Sequence, residues 1–289
     1  MTTAQRAMPL LFVLIWATGF IVARGVAPHA EPLTFLVMRY LLTTAVFTAV
    51  AVTVGAAWPK GGVGWRDALV AGILLQGIYL GGVFWAARRG MPAGISALIC
   101  GLQPLLTAML SFPLLGERVR PVQWLGIGLG FAGAVLVLLP KLGITEGIPL
   151  VPAIVCFGAV IGITLGTIWQ KRTAAQVDLR TNAAVQFMGA ALVTAPVAAL
   201  TEEGMFDGSA PAWIGLLWSV FGLSVGAISL LLILIRRGAV AGVASLFYLV
   251  PPVVAVMAYF LFGEHLSLVQ IVGMAVAASG VALVNRPQR

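Results

Sequence analysis

Charge is scarce in this sequence of 289 residues, of which 9% are Asp, Glu, Lys or Arg and 61% are apolar. A soluble domain carries about 25% charged residues, so this composition excludes a soluble globular protein. The net charge of +8 would indicate nucleic-acid binding in a soluble chain. In so apolar a chain, the positions of the basic residues along the sequence show what this positive charge indicates. We therefore expect the lipid bilayer as a partner and no nucleic acid.

Residues suited to a catalytic or metal centre are also few. Cys100 and Cys156 both lie within apolar runs, where cysteine is a small core residue rather than part of a disulfide framework or metal site. The glycine motif at 128–133 lies inside an apolar run, without the strand and helix start that a dinucleotide site needs. We predict that the protein is not an enzyme, with no catalytic residue, no metal and no cofactor.

Acidic residues are missing from the interior of every apolar run, and the two histidines stand at the ends of runs. A proton-driven exporter uses a carboxylate or histidine at membrane depth to relay protons. We therefore expect a facilitator or an exchanger, or coupling to protons only through groups at helix ends such as His265.

Long apolar runs, by contrast, fill the chain. A bilayer core of about 30 Å requires about 20 residues of helix, and ten runs of about that length are bounded by charges or turn residues. Their connections are short, so we predict one integral membrane unit. The predicted spans are Pro9–Ala27, Leu33–Ala56, Ala68–Ala87, Ala93–Leu115, Val122–Leu139, Pro149–Gln170, Asn182–Leu200, Ala212–Ile235, Ala241–Phe262 and Leu266–Val284.

Basic residues predict the orientation of these spans, because Lys and Arg accumulate on the cytoplasmic side. With the N-terminus inside, twelve basic residues fall in cytoplasmic segments and four in outer ones. The predicted outer loop 202–207 carries three acids and no base, which agrees with this assignment. We predict a multi-pass protein of a bacterial-type inner membrane with both termini in the cytoplasm.

A stretch near the middle of the chain recurs near its end. "LLGERVRPVQWLG" at 114–126 is matched by "LFGEHLSLVQIVG" at 261–273, 147 residues later, and "RRGMPAGISAL" at 88–98 resembles "RRGAVAGVASL" at 236–246. We predict two homologous halves of five spans, 1–142 and 143–289. Because five is odd, the second half is expected to be inverted, as in many secondary transporters whose substrate site lies at the midplane.

The recurring Gly-Glu pair raises the question of a duplicated catalytic acid. Inversion places Glu117 and Glu264 on opposite faces, about a membrane thickness apart, so they cannot act as a pair. Each precedes a helix start, where a carboxylate complements the helix dipole and accepts free N–H groups. We predict that each caps the last span of its half. The alternative is a gating ion pair with Arg118 or with another loop.

These repeated motifs, together with "WATGF" at 16–20 and "PLTFLVMRYL" at 32–41, resemble EamA-type transporters of the drug/metabolite transporter superfamily. The resemblance covers nearly the whole chain. It implies an all-α membrane protein of ten transmembrane helices, arranged as two inverted five-helix repeats with both termini cytoplasmic, that exports or exchanges small metabolites. Within the superfamily we favour YddG-like amino-acid exporters. The family's usual Ser-Asn-Phe after the tryptophan reads Thr18-Gly19-Phe20 here.

Candidate substrate-binding residues are polar or aromatic side chains deep within spans. Ser96, Cys100, Gln103, Thr107 and Ser111 recur at spacings of three and four, which puts them on one face of span 4. A polar stripe on a membrane helix faces a cavity or a neighbouring helix rather than lipid. We predict that the middle of this stripe, from Cys100 to Thr107, binds substrate.

Prolines mark two of these segments. Pro104 frees a backbone carbonyl within the polar stripe, which a cavity or a packed helix tolerates and lipid does not. Pro251 and Pro252 repeat this feature in span 9. Ser245 and Tyr248 precede this proline pair by one to two turns, and we predict that they also bind substrate.

Spans 1, 3 and 8 add four candidates. Gln76 and Tyr79 are three residues apart and share a helix face, so they either line the cavity or form interhelical hydrogen bonds. Trp16 stands about 10 Å inside span 1 at about 1.5 Å per residue, where an indole N–H needs a partner. Trp16 and Trp218 are predicted to reach the cavity, whereas most other tryptophans lie near span ends.

Arg39 is the clear charge inside a predicted span. An arginine at that depth snorkels, makes a structural hydrogen bond, or recognises a substrate carboxylate. We keep both its structural and its substrate-binding role open.

The predicted function is that of a secondary transporter that exports or exchanges small metabolites, above all amino acids, by alternating access around a midplane cavity. One alternative is an exporter of cationic drugs or other metabolites in the same superfamily. The other is a channel-like membrane protein.

Overall fold

The structure is a computed structural model that describes residues 3–91, 96, 99–141, 149–174, 177–237, 240–262 and 266–285. These residues fold as a bundle of α-helices, joined at one end by an isolated antiparallel bridge between Ala30 and Phe206. The helices are α1 Thr3–Val26, α2 Pro32–Thr53, α3 Gly61–Arg88, α4 Gln103–Leu115, α5 Pro121–Leu138, α6 Leu150–Thr173, α7 Leu179–Thr201, α8 Ala210–Arg237, α9 Val240–Leu261 and α10 Leu268–Val284.

Seven of the described helices, α2, α3 and α5 to α9, are long and apolar enough to cross a membrane. Shorter apolar helices cover Ala7–Ala23, Gln103–Leu115 and Leu268–Val284. Large apolar side chains such as Leu200 and Phe260 are exposed on the outside of the bundle, where lipid would solvate them. The predicted all-helical, multi-pass class is confirmed, and the count of ten crossings stays a prediction.

The recurring stretch starts α5 and α10 in the same way. The side chain of Gln123 accepts the backbone N–H of Arg120 (3.0 Å), and that of Gln270 accepts the N–H of Ser267 (3.0 Å). Each glutamine then reaches the end of the other helix, since Gln123 Nε2 donates to the carbonyl of Val284 and Gln270 Nε2 to that of Val137. The repeated glutamines therefore join the last helices of the two halves.

Close backbone contact between α5 and α10 depends on glycine. A Cβ on Gly133 would lie 2.3 Å from the backbone N of Ala277, and one on Gly280 would lie 2.3 Å from the backbone N of Gly130. No side chain fits at such distances. Gly158 on α6 differs, because a Cβ there would meet nothing within 4 Å.

Two helices contain a π-helical segment at corresponding places. In α3 it covers Ile73–Ile78 and in α8 it covers Ser219–Ile228. Gln76 and Ser224 lie within them, 148 residues apart, which is the offset between the two "RRG" motifs. Such segments in helices often occur at functional sites because the widened turn leaves backbone groups irregular.

Charged side chains gather at the two ends of the bundle. We call one the Arg88 end, defined by Glu31, Arg88 and Glu202, and the other the Glu117 end, defined by Glu117 and Lys171. Each end joins segments from both halves of the chain, so relative movement of the halves would disturb both.

The prediction that Glu117 caps α5 is wrong. Its Oε2 accepts the backbone N–H of Val240, the first residue of α9, over 3.0 Å, and its Oε1 lies 3.9 Å from Lys171 Nζ. Arg120 and Gln123 instead cap α5. Glu117 reaches across to the other half because Gly116, with a φ of +72°, turns the chain out of α4. The prediction for Glu264 falls outside the described residues.

Candidate functional site

A cluster of side chains from both halves surrounds Tyr79 inside the bundle. Tyr79 on α3 is buried with Leu75, Ala159 and Ile163. Trp16 from α1, Cys100 before α4 and Phe247 from α9 are half-buried and pack against this group. We call Trp16, Tyr79, Cys100, Cys156 and Phe247 the Tyr79 cluster. It brings together three of the predicted substrate-binding residues.

Aromatic rings form one side of the Tyr79 cluster. The ring of Trp16 meets that of Phe247 edge to face, with centroids 5.3 Å apart and an interplanar angle of 88°. Phe12 lies 5.4 Å from Trp16 and 5.6 Å from Phe247. Edge-to-face packing at these distances is favourable for aromatic pairs. Phe247 is not among the residues predicted from the sequence, although it stands 147 residues after Cys100 and next to the predicted Tyr248.

A hydroxyl and two thiols form the polar side of the Tyr79 cluster. Cys100 packs against the group that contains Tyr79 and also against the group that contains Cys156. Cys156 Sγ lies 4.0 Å from the backbone oxygen of Ser96. Both cysteines are free thiols. The cluster is therefore aromatic and weakly polar, and it suits an uncharged or apolar part of a ligand.

Two buried amides next to the Tyr79 cluster each have an unpartnered oxygen. Gln76 and Gln103 are 1% and 3% exposed, and the Oε1 of each has no hydrogen-bond partner. The backbone carbonyl of Gln76 accepts the hydroxyl of Tyr40 over 3.1 Å, but its side chain does not share in this bond. A buried acceptor without a donor is costly, so these oxygens are candidates for contact with a ligand.

The two amides lie at a similar level in the bundle. α3 starts near the Glu117 end, where the Trp169 indole donates to the Asp67 carbonyl, and it finishes at Arg88. The chain then returns through Cys100 and Gln103 to Glu117. Gln76 lies three residues before Tyr79, and Gln103 lies three residues after Cys100. Both amides are therefore on the side of the Tyr79–Cys100 contact that faces the Glu117 end.

Further along α4 the predicted polar stripe bonds to its own helix. Thr107 Oγ1 donates to the carbonyl of Gln103 (2.8 Å) and accepts from Gln103 Nε2 (3.1 Å). Ser111 Oγ donates to the carbonyl of Thr107 (2.6 Å). These bonds keep the hydroxyls of Thr107 and Ser111 within α4, whereas the carbonyl that Pro104 leaves without a helical N–H is that of Cys100. A substrate-binding role for Thr107 stays a prediction.

The structure places three other predicted residues elsewhere in the bundle. Ser245 donates to the carbonyl of Gly242 (2.8 Å) and accepts from Asn285 Nδ2 (3.1 Å). Tyr248 is buried beside Phe131, with its hydroxyl unpartnered. Trp218 is 45% exposed, and its indole donates to Thr18 Oγ1 over 2.8 Å. None of the three contributes to the buried group around Tyr79 as described, and their substrate contacts stay predictions.

Arg39 on α2 is 5% exposed, and its Nε donates to Ser224 Oγ on α8 over 2.9 Å. Ser224 is itself fully buried in the π-helical segment of α8. Among the described residues no carboxylate forms an ion pair with Arg39. A buried guanidinium that has a neutral partner carries an uncompensated charge, which suits an anionic group of a ligand.

Ser224 also belongs to the stretch Gly222-Leu223-Ser224-Val225-Gly226, which has the spacing of a hydrolase nucleophile elbow. A nucleophile elbow requires a sharp turn between a strand and a helix, with an exposed serine. Ser224 is buried inside a helix and is bonded to Arg39. The stretch is therefore a chance match, and it supplies no nucleophile.

A side cavity of about 460 Å³ opens between α3, α6 and α7, close to the Arg88 end. Its walls are apolar and rich in glycine, and they include Leu33, Gly81, Trp85 and Thr194. Thr194 is 3% exposed, and its hydroxyl has no partner. Nothing in the sequence predicted this cavity, because most residues of its walls are glycine or aliphatic.

A bundle of apolar helices with aromatic and unpartnered polar groups buried between them defines a multi-pass membrane protein. The chain belongs to the EamA-like transporter family, whose model matches residues 7–139 and again residues 150–286. The predicted membership of this family within the drug/metabolite transporter superfamily is confirmed. The narrower resemblance to YddG-like exporters stays a prediction.

Two relatives and one solved structure are similar to this chain. The inner membrane transporter YedA of Escherichia coli (strain K12), itself uncharacterized, is 27% identical over 97% of this chain and 92% of its own length. A probable amino-acid metabolite efflux pump of the same strain is 27% identical over 60% of this chain and 55% of its own. A crystal structure with 21% identity covers 96% of both chains with a TM-score of 0.82, which shows the fold.

Proposed function

We propose that this protein is a secondary transporter that exports or exchanges amino acids by alternating access around the Tyr79 cluster. The observation that carries the proposal is that both halves of the chain contribute residues to this cluster. Trp16, Tyr79 and Cys100 come from the first half, and Cys156 and Phe247 come from the second. A site built from both halves changes its exposure when one half moves against the other.

The chemistry around the cluster supports an amino-acid substrate. The rings of Trp16 and Phe247 offer surface for an apolar side chain. The unpartnered oxygens of Gln76 and Gln103 are acceptors for an ammonium group. Arg39 supplies a positive charge for a carboxylate, and its neighbour Tyr40 is bonded to the backbone of Gln76.

The proposed topology has ten crossings, two inverted halves at 1–142 and 143–289, and both termini in the cytoplasm of a bacterial inner membrane. The contacts at the two ends support it. Segments that alternate crossing puts outside meet at the Arg88 end, as in the bond between the Glu31 side chain and the Gly204 N–H. Segments that it puts inside meet at the Glu117 end, as in the bond between Thr181 Oγ1 and the Ala57 carbonyl. The inner-membrane relative YedA agrees with this location.

We infer exchange or facilitated export rather than proton-driven transport, because the acidic residues lie in or beside the loops of the sequence. Proteoliposomes with a pH gradient and equal amino-acid concentrations on both sides test this. We expect no net uptake. Uphill flux that disappears when a loop acid is changed would contradict uncoupled transport.

Binding tests the substrate class directly. Purified protein is heated with a panel of amino acids, nucleosides and cationic drugs, and its melting temperature is recorded. A ligand present at about 100 times its Kd stabilises the folded state by about 2.7 kcal/mol, so we expect a clear rise with amino acids. A rise with cationic drugs alone would favour the drug exporter, for which the same aromatic rings would hold an organic cation.

A further inference from the structure

The Arg88 end contains an ion-pair group that spans both halves. Arg88 Nη2 lies 2.5 Å from Glu31 Oε1, and Arg88 Nη1 lies 3.2 Å from Glu202 Oε1. Arg88 ends α3, Glu31 precedes α2, and Glu202 follows α7. The side chains of Glu31 and Glu202 are 9% and 1% exposed. The two carboxylates are therefore largely closed to water, unlike those of an ordinary surface ion pair, while the side chain of Arg88 between them is 36% exposed.

Backbone N–H groups hold the same two carboxylates across the halves. Glu202 accepts from the N–H groups of Leu33 (2.9 Å) and Thr34 (2.7 Å) at the start of α2. Glu31 accepts from the N–H groups of Gly204 (2.8 Å) and Met205 (3.1 Å) after α7. Each carboxylate thus binds backbone from the opposite half. Separating α2 from α7 at this end would break all of these charge-assisted bonds together.

The Glu117 end has the repeat-related residues but lacks this group. Asp178 before α7 corresponds to Glu31 before α2, and Arg236 corresponds to Arg88, whereas α2 is followed by Val54 and Gly55 where α7 is followed by Glu202. Asp178 pairs with Arg180 (2.7 Å), and Arg236 donates to the carbonyls of Ala174 and Val177. Neither Val54 nor Gly55 has a carboxylate that could bond across the halves. Among the described residues, carboxylates therefore make more bonds between the halves at the Arg88 end than at the Glu117 end, where Glu117 contacts Val240 and Lys171.

We propose that Glu31, Arg88 and Glu202 form an outer lock that keeps the resting transporter closed at the Arg88 end, so that substrate loads from the Glu117 end. This inference rests on the proposed function and orientation. Opening the Arg88 end would leave two buried carboxylates without their partners, which is strongly unfavourable. Opening the Glu117 end would cost the bond from Glu117 to Val240 and its 3.9 Å ion pair with Lys171. A carrier biased in this way waits for cytoplasmic substrate, which suits export.

Cys100 in the Tyr79 cluster is a native reporter for opening of the outer lock. Intact cells are treated with a membrane-impermeant maleimide, and the labelling rate of Cys100 is measured by mass spectrometry. In Glu202→Gln and Arg88→Gln we expect the rate to rise at least about tenfold, the factor that corresponds to about 1.4 kcal/mol of lost lock stability. Arg88→Lys keeps the charge and is expected to fall between Arg88→Gln and the native protein.

Glu203→Gln and Arg89→Gln are matched controls. Glu203 is exposed, and Arg89 stacks over Trp85 rather than entering the lock. Both are expected to label at the native rate. Unchanged labelling in Glu202→Gln and Arg88→Gln with native melting temperatures, or an equal rise in the controls, would overturn the proposal.

Amino-acid counterflow measured on the same variants separates the two proposals. Counterflow in the native protein, without any change in Cys100 labelling in the variants, would contradict the outer lock and support the transporter proposal. The expected change in labelling, without counterflow of any amino acid in the native protein, would support the outer lock and contradict the proposed amino-acid substrate.

Discussion

The side chain of Arg39 is joined to that of Ser224 by a hydrogen bond of 2.9 Å between the first and second halves of the chain. Its positive charge is buried beside a neutral hydroxyl, within two helices that are predicted to cross the membrane. This relationship fits both the structural and the substrate-binding roles that the sequence leaves open for Arg39, and variants of the two residues distinguish them.

If Arg39 recognises a carboxylate, Arg39→Met is expected to remove the preference for an amino acid over its amide. A hydrogen bond to a charged group contributes about 1.5–3 kcal/mol, so the preference should change by about tenfold or more in competition counterflow. Ser224→Ala is the control, because it removes the hydroxyl and keeps the guanidinium. An equal decrease for the acid and the amide in Arg39→Met would indicate a structural role only.

Gln76 allows stability and transport to be separated. Its side-chain oxygen is buried without a partner, so Gln76→Leu is expected to keep or raise the melting temperature while it lowers transport at least about tenfold. Gln270→Leu is the matched variant, because the Gln270 amide bonds Ser267 and the Val137 carbonyl. It is expected to lower the melting temperature. Native transport by Gln76→Leu would remove this amide from the site.

Gly72 tests the packing between α3 and α7. A Cβ at this position would lie 1.9 Å from the backbone oxygen of Gln186, so Gly72→Ala must push the two helices apart. Overpacking costs about 1–3 kcal/mol or more, and we expect a lower melting temperature and a lower yield of folded protein. Gly158→Ala, whose Cβ would meet nothing within 4 Å, is expected to behave as native. Equal melting temperatures would contradict the helix contact.

The outer lock has a defined pH dependence. Burial raises the pKa of Glu31, but the N–H groups of Met205 and Gly204 together with Arg88 outweigh it, so this pKa lies below its ordinary value of 4.5. Glu202 faces the same arginine, and the His29–Asp207 pair lies nearby in the connecting loops. A depressed folded-state pKa stabilises the protein above the ordinary value and loses that stabilisation as pH falls through the folded-state pKa.

The melting temperature of the native protein is therefore expected to exceed that of Glu31→Gln by a constant amount from neutral pH down to about 4.5, the ordinary value. The difference should shrink at lower pH. A difference that disappeared already near neutral pH would show that Glu31 is not held as a carboxylate by Arg88.

The sequence predicts the helical membrane class, the family and part of the site, because apolar runs and the 147-residue repeat are visible without coordinates. It does not predict contacts between distant segments. The Gly-Glu motif indicated a cap for the next helix, but Gly116 turns Glu117 towards Val240 instead. Phe247 lacked a polar signal, and the partners of Glu31 and Glu202 lie about 170 residues away in the sequence.

Trp16 and Tyr79 supply the variants for the central measurement. Trp16→Ala and Tyr79→Phe change the Tyr79 cluster, whereas Trp213→Ala and Tyr259→Phe change the same residue types on the exposed surface of the bundle. The first two are expected to weaken substrate binding, and the other two to leave it unchanged.

The central claim is carrier-type transport of amino acids at this cluster, and counterflow of a labelled amino acid into preloaded proteoliposomes tests it most directly. We expect saturable counterflow, with an apparent KM that rises at least about tenfold in Trp16→Ala and stays native in Trp213→Ala. Linear, non-saturating flux, or counterflow equally affected by both tryptophan variants, would contradict the account.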